Sequence, residues 1–200
     1  MRKTALCVLA LAAAVLSGCT GNGEVAPTLT TGPTPTSETP RPTVAPPIEV
    51  PVDLTPYHRQ PCALLTPEQT AELRLPPERI NGANGETGLC EWDTVPGGDA
   101  IYSLTVFMTG DPLGEVYRRS NDRLDSGKLV SELFEIRTIE ALPAVVTTMR
   151  DSSTYCAVTV GTGGDQGVLL TASVRPELSD PELCDRMVTA AEWVIDAARG

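Results

Sequence analysis

The chain has 200 residues and a formal net charge of −11. With no basic run to release counterions from a polyanion, nucleic acid is excluded as a partner, and the body of the protein has no electrostatic pull towards anionic lipid. Beyond residue 19 no window is apolar enough for a membrane-spanning helix.

The chain starts with Arg2 and Lys3, followed by an apolar run from Ala5 to Leu16. At roughly 12 residues this run is too short to span a bilayer and suits a signal-peptide core. Leu16-Ser17-Gly18-Cys19 then has the form of a bacterial lipobox. The small pair before the thiol fits a narrow peptidase site, and the Cys19 sulfur can carry a diacylglyceryl group. The sequence therefore predicts a lipoprotein signal peptide over residues 1–18 and a lipidated Cys19. The acyl chains would hold the protein on the extracytoplasmic face of the cell membrane. The alternative is an ordinary signal peptide with an incidental cysteine.

Residues 19–51 read as the lipid site followed by a Thr/Pro-rich disordered linker. Between Thr20 and Pro51 stand eight prolines and hardly an aliphatic anchor, so neither helix nor sheet can propagate. Such a tether spans about 100 Å if polyproline-like and about 30 Å as a coil. Its Thr-Pro tracts are also of a composition that accepts O-linked sugars, with a bare spacer as the alternative.

Residues 52–200 are predicted to form one folded domain. Thr66-Pro67-Glu68-Gln69 is a helix start with a capping box, and that helix runs to about Leu73 before Pro76-Pro77. Asn81-Gly82-Ala83-Asn84-Gly85 reads as turn material. Strands are predicted at Leu89–Thr94 and Ile101–Met108, with a turn at Pro96-Gly97-Gly98 between them. In the second, Tyr102, Leu104, Val106 and Met108 alternate with Ser103 and Thr105. Asp111-Pro112 opens a second helix with Leu113, Val116, Tyr117, Ser120 and Leu124 on one face and Arg118, Arg119 and Arg123 on the other. The arginines read as a solvated face, with an anion site as the alternative.

Four strands follow, at Leu133–Ile139, Ala144–Arg150, Tyr155–Val160 and Val168–Val174. The Gly161–Gly167 stretch leads into a strand and not a helix, so it reads as a hairpin loop and not a phosphate cradle. A closing helix is predicted from Asp180-Pro181, with Leu183, Met187, Val188, Ala191, Val194, Ile195 and Ala198 inward. The order α-β-β-α-β-β-β-β-α predicts an α+β fold, an antiparallel sheet of five to six strands packed by helices.

Cys7 leaves with the signal peptide. Cys62, Cys90, Cys156 and Cys184 remain, an even number in an exported chain, which predicts two disulfides. Three pairings are possible. The local one, Cys62–Cys90 with Cys156–Cys184, gives two similar helix-to-strand staples. There is no Cys-x-x-Cys for redox work and no tight cysteine pair for zinc.

Pro61-Cys62-Ala63-Leu64-Leu65-Thr66-Pro67-Glu68, Cys90-Glu91-Trp92, Tyr155-Cys156-Ala157-Val158 and a Cys184 opening the last helix resemble one family of actinobacterial lipoproteins. That family is known as domain of unknown function 3558. The likeness covers Gln60 to Ala198. It implies envelope lipoproteins with this cysteine framework, and it supplies no catalytic residues.

The residue inventory gives an enzyme little to work with. His58 is the only histidine, beside Pro56 and Arg59 at the linker edge, and no Gly-x-Ser-x-Gly elbow is present. Lys128, next to Asp125-Ser126-Gly127, sits in turn context, which disfavours a buried Ser-Lys dyad. The carboxylate pairs Glu91/Asp93, Glu132/Glu135 and Asp180/Glu182 read as chance in an acidic chain. A calcium site on Asp180, Glu182 and Asp185 competes with the capping role of Asp180. Trp92 and Trp193 read as core aromatics and not sugar platforms. No catalytic residue, cofactor or metal is predicted. The sequence points to a non-enzymatic module binding an envelope protein or cell-wall component. A carrier of an apolar or lipid ligand is the alternative, and a hydrolase comes third.

Overall fold

Thr66 opens the first α-helix, α1 (Pro67–Glu72), with both halves of a capping box. Its Oγ1 accepts the Gln69 amide at 3.2 Å, and its own amide donates to Gln69 Oε1 at 2.8 Å. The structure is a computed structural model that describes residues 42–77, 79–93, 100–125, 132–149 and 153–200. The signal-peptide core, Cys7, the Leu16–Cys19 motif, the tether up to residue 41, the turn at Pro96–Gly98 and Lys128 lie outside the described residues.

Among the described residues, seven strands form one antiparallel sheet. They are β1 (Arg79–Asn84), β2 (Thr87–Asp93), β3 (Ala100–Phe107), β4 (Glu132–Ile139), β5 (Leu142–Met149), β6 (Tyr155–Gly163) and β7 (Gln166–Val174). Their order is β1-β2-β3-β7-β6-β5-β4. The β6–β7 hairpin is therefore central, and β1 and β4 are the edges. The fold is α+β.

Three details correct the sequence reading. Asn81 to Asn84, predicted as turn, belong to a seventh strand, and only Gly85 and Glu86 turn the chain. Turn-forming residues are overridden here by a full ladder to β2, from Arg79 opposite Trp92 to Asn84 opposite Thr87. The Asn81 side chain is also occupied, its Oδ1 accepting the Cys62 amide at 3.3 Å and its Nδ2 donating to the Arg59 carbonyl at 3.4 Å. Second, the glycine-rich hairpin loop shrinks to Gly164-Asp165, because β6 and β7 take up the residues on either side. Third, the closing helix, α3 (Leu183–Arg199), begins after a turn at Asp180, whose carboxylate accepts the Glu182 amide and whose carbonyl accepts the Leu183 amide.

Alternation along each strand sorts the two sheet faces. Ala100, Tyr102, Leu104 and Val106 of β3 share one face with Val168, Leu170, Ala172 and Val174 of β7 and with Cys156, Val158 and Val160 of β6. On this face packs α3 through Leu183, Met187, Ala191, Val194 and Ile195. Two 3-10 turns, η1 (Thr55–Tyr57) and η2 (Pro61–Leu64), lie beside it, and the Tyr57 hydroxyl donates to the Ala197 carbonyl at 2.8 Å. Disulfides Cys62–Cys90 and Cys156–Cys184 tie η2 to β2 and β6 to α3, the local pairing. The opposite face carries α2 (Pro112–Asp125), where Leu113 and Tyr117 pack on Val145 and the Tyr117 ring meets Phe134 edge-on at 5.3 Å.

The segment before η1 wraps the tip of the central hairpin. Ala45 and Ile48 are half-buried, the Val52 amide donates to the Thr162 carbonyl at 2.7 Å, and the Leu54 amide donates to Gln166 Oε1 at 3.0 Å. Contact with the domain thus begins at about Ala45, inside the stretch that composition assigns to the tether. The strand glycines make room for it: a Cβ on Gly161 would meet Leu113 Cδ2 at 2.9 Å and Ile48 Cδ1 at 3.1 Å.

Candidate partner-binding surface

Helix α2 covers only one end of its sheet face. It starts over Gly167, where a Cβ would lie 2.6 Å from Pro112 Cγ, and it ends its packing on Val145 and Phe134. The strands away from it, β1 to β3 and the far end of β7, leave Ile80 64 %, Leu89 38 % and Ile101 44 % exposed on this face. The register places Ile80 beside Glu91, Glu91 beside Ser103, and Ser103 beside Thr171. Ser103 and Thr171 share a hydrogen bond of 2.6 Å between their hydroxyls. Half-buried Thr105, Phe107 and Leu169 complete a face on which the described side chains are apolar and hydroxyl groups with the Glu91 carboxylate. Ile136 and Met149 are exposed on the same face at the β4 side of the sheet. A broad apolar surface rimmed by hydroxyls is suited to contact with another macromolecule.

The residues considered for chemistry are dispersed. His58 lies against the other face, with its carbonyl 2.2 Å from the position a Gly88 Cβ would take. The sheet therefore separates it from Ser103. Its Nε2 is enclosed, with no hydrogen-bond partner among the described residues. Arg118 and Arg119 both bind Glu115, at 2.9 and 2.8 Å, which fits the solvated-face reading of that helix. Those hydrogen bonds, Arg119's first and then Arg118's, hold the Glu115 carboxyl below the ordinary glutamate range. Burial between α2 and the sheet pushes the Tyr117 hydroxyl up from its ordinary value.

Asp180 is committed to the Arg186 guanidinium and the Glu182 amide, which leaves it no oxygen free of protein donors for calcium. Glu135 pairs with Arg137 at 2.9 Å. Trp92 is a core residue, and Trp193 is half-buried against the core. The side chains of Asp93, Arg123 and Glu132, like Cys19, fall outside the description.

Two grooves are lined by described residues, one on the α2 side and one on the core face beside α1. One, of 490 Å³, runs between Thr43–Ile48 and the start of α2, with Asp111, Arg118 and Gln166 in its walls. The other, of 260 Å³, lies between α1 and the pair Arg79 and Trp92. Both are open to solvent. The sequence did not disclose the uncovered face. Its one signal was the run of Ser103 and Thr105 between Ile101 and Phe107 on the outer side of β3.

An antiparallel sheet, packed by α3 on one face, part-covered by α2 on the other and stapled twice to its surroundings, defines an α+β sandwich with an open sheet face. The chain belongs to the family described as "Protein of unknown function (DUF3558)", whose profile matches residues 14–197. No curated protein and no solved structure matches it.

Proposed function

We propose that this protein is a lipoprotein anchored through Cys19 on the extracytoplasmic face of the cell membrane, and that its domain is a non-enzymatic binding module for an envelope protein or cell-wall component. The observation that carries the binding role is the open sheet face around Ile80, Leu89 and Ile101, apolar enough to gain from being covered. Supporting the anchor are the Leu16–Cys19 motif and a family match that begins at residue 14 and so takes in Cys19. Transport of a small apolar or lipid ligand is the second reading, for which the grooves beside α2 and α1 are the places to look.

The test is in-cell cross-linking and pull-down of the full chain beside an Ile101→Asp variant, with lipid analysis of what copurifies. A partner captured by the parent and lost with Ile101→Asp supports the reading. A copurifying lipid with no protein or wall partner overturns it in favour of the carrier. For the anchor, Cys19→Ala should move the protein from the membrane fraction to the medium, and retention on the membrane would refute it.

A further inference from the structure

The edge strand β1 is the least covered strand of the sheet, with five of its six residues exposed. Among the described residues β1 pairs with no strand but β2, so its outer side is open to a further strand. Proteins usually guard such an edge with charge, proline or a covering segment. The other edge, β4, is guarded in mid-strand by the Glu135–Arg137 ion pair. The interior of β1 is Ile80-Asn81-Gly82-Ala83, with nothing charged and open space where a Gly82 Cβ would point.

Directly beside it, on the core face, the 260 Å³ groove has apolar walls in Pro67, Ala71, Leu75 and Pro77, a floor in Trp92, and one charged residue in its lining, Arg79 of β1 itself. The Arg79 guanidinium makes a long hydrogen bond of 3.5 Å to the Cys62 carbonyl. An open strand edge, a side-chain-sized apolar hole and a cation at its rim are the three parts of strand addition, in which the backbone supplies affinity and pockets read alternate side chains.

We propose that β1 is a docking edge for an extended segment of a partner protein that adds an eighth strand. One apolar side chain enters the groove beside Trp92, and a carboxylate two residues along, on the same face of the added strand, meets Arg79. This rests on the binding-module role proposed above, though not on its contact at Ile101, and assigns the holding of one extended partner segment to the β1 edge. An apolar segment carrying a carboxylate is favoured over a second copy of this chain, since β1 itself (Arg79–Asn84) brings no carboxylate to meet Arg79 and would pair only one short strand.

The experiment selects a random twelve-residue display library on the purified full chain. Affinity and amide hydrogen exchange of β1 are then measured with the recovered peptides. The expected result is a consensus of alternating apolar residues with an acidic one, protection of the β1 amides, and binding weakened about tenfold or more by Arg79→Glu. Ala83→Lys, an exposed position whose new charge lies on the edge, should weaken it independently. The proposal is overturned by the absence of a consensus, by protection that falls on β3, β7 or α2 instead, or by β1 protection that appears with concentration in the chain alone, which would mean self-pairing. If the cellular partner is still captured by the Arg79→Glu/Ala83→Lys double variant, the docking edge fails while the binding module stands.

Discussion

A Cβ placed on Gly163 would lie 2.4 Å from the Cβ of Pro51, so the chain before η1 crosses β6 at a point where no side chain fits. Gly163 also holds φ at 122°, outside the comfort of L residues. Gly163→Ala should therefore cost about 2–3 kcal/mol, part strain and part overpacking. In a chain begun at Val52 the overpacking part should vanish, which a double-mutant cycle in urea would read as a coupling. Equal losses in both backgrounds would mean that Pro51 does not rest on β6.

The β4–β5 turn is made by Glu140 and Ala141, at φ 47° and 60°, a left-handed pair without glycine. The turn is held from outside, because the Arg199 guanidinium donates to the Glu140 carbonyl and lies 3.6 Å from its carboxylate. Ala141→Gly should stabilise the domain by about 1 kcal/mol, a rise of about 3 °C in Tm. Arg199→Ala should lower Tm and enlarge the gain from Ala141→Gly. A fall in Tm for Ala141→Gly would contradict the strained turn.

Each disulfide closes a separation of 28 residues. In the chain-entropy model a loop of this size contributes about 3.5 kcal/mol, against a total stability of about 5–15 kcal/mol for a domain. Peptide mapping of the native protein should return Cys62–Cys90 and Cys156–Cys184, with no thiol open to alkylation. Removing both by reduction should bring the domain close to unfolding. A protein equally stable with and without reductant would refute this.

Glu115 gives a small acid-side dependence. Its folded pKa is lowered from the ordinary 4.5, first by the hydrogen bond from Arg119 and then by that from Arg118. The stability it contributes is present above pH 4.5 and is lost as the pH falls below that value through the lowered one. Both partners are well exposed, so salt should screen the effect. Comparison of Glu115→Gln with the parent across pH 3–6 at low salt should show the two curves converging in acid. A constant gap would assign the difference to something other than this carboxylate.

Features that depend on near neighbours in sequence were legible from sequence alone. The Thr66–Gln69 box, the inward stripe of α3 and the alternation of β3 are each fixed within a few residues, and each is present. Strand β1 was not legible because Asn81, Gly82 and Asn84 carry turn chemistry. What makes them a strand is the ladder to β2, together with the contacts of Asn81 to Arg59 and Cys62, about twenty residues upstream. The Gly161–Gly167 stretch was misread in length for a related reason. Its glycines serve the passage of Ile48, Pro51 and Pro112 over the strands and not the turn alone. The open face escaped too, since α2's amphipathic pattern says that it packs on a sheet but not how far along the sheet it lies.

The wrap of residues 45–54 around the β6–β7 tip has a mechanical consequence. Any pull arriving along the N-terminal segment reaches the domain at Val52, bonded to Thr162, and at Leu54, bonded to Gln166. That load falls on the middle of the sheet, where β6 and β7 each have a strand on both sides, and not on an edge that could be peeled away one bond at a time. Traction on the chain before Ala45 would first have to strip residues 45–54 from that hairpin tip, breaking both bonds, before it loaded the rest of the domain. Pulled from its N-terminus in a single-molecule force experiment, the domain should yield in one abrupt step at higher force than when pulled through β1.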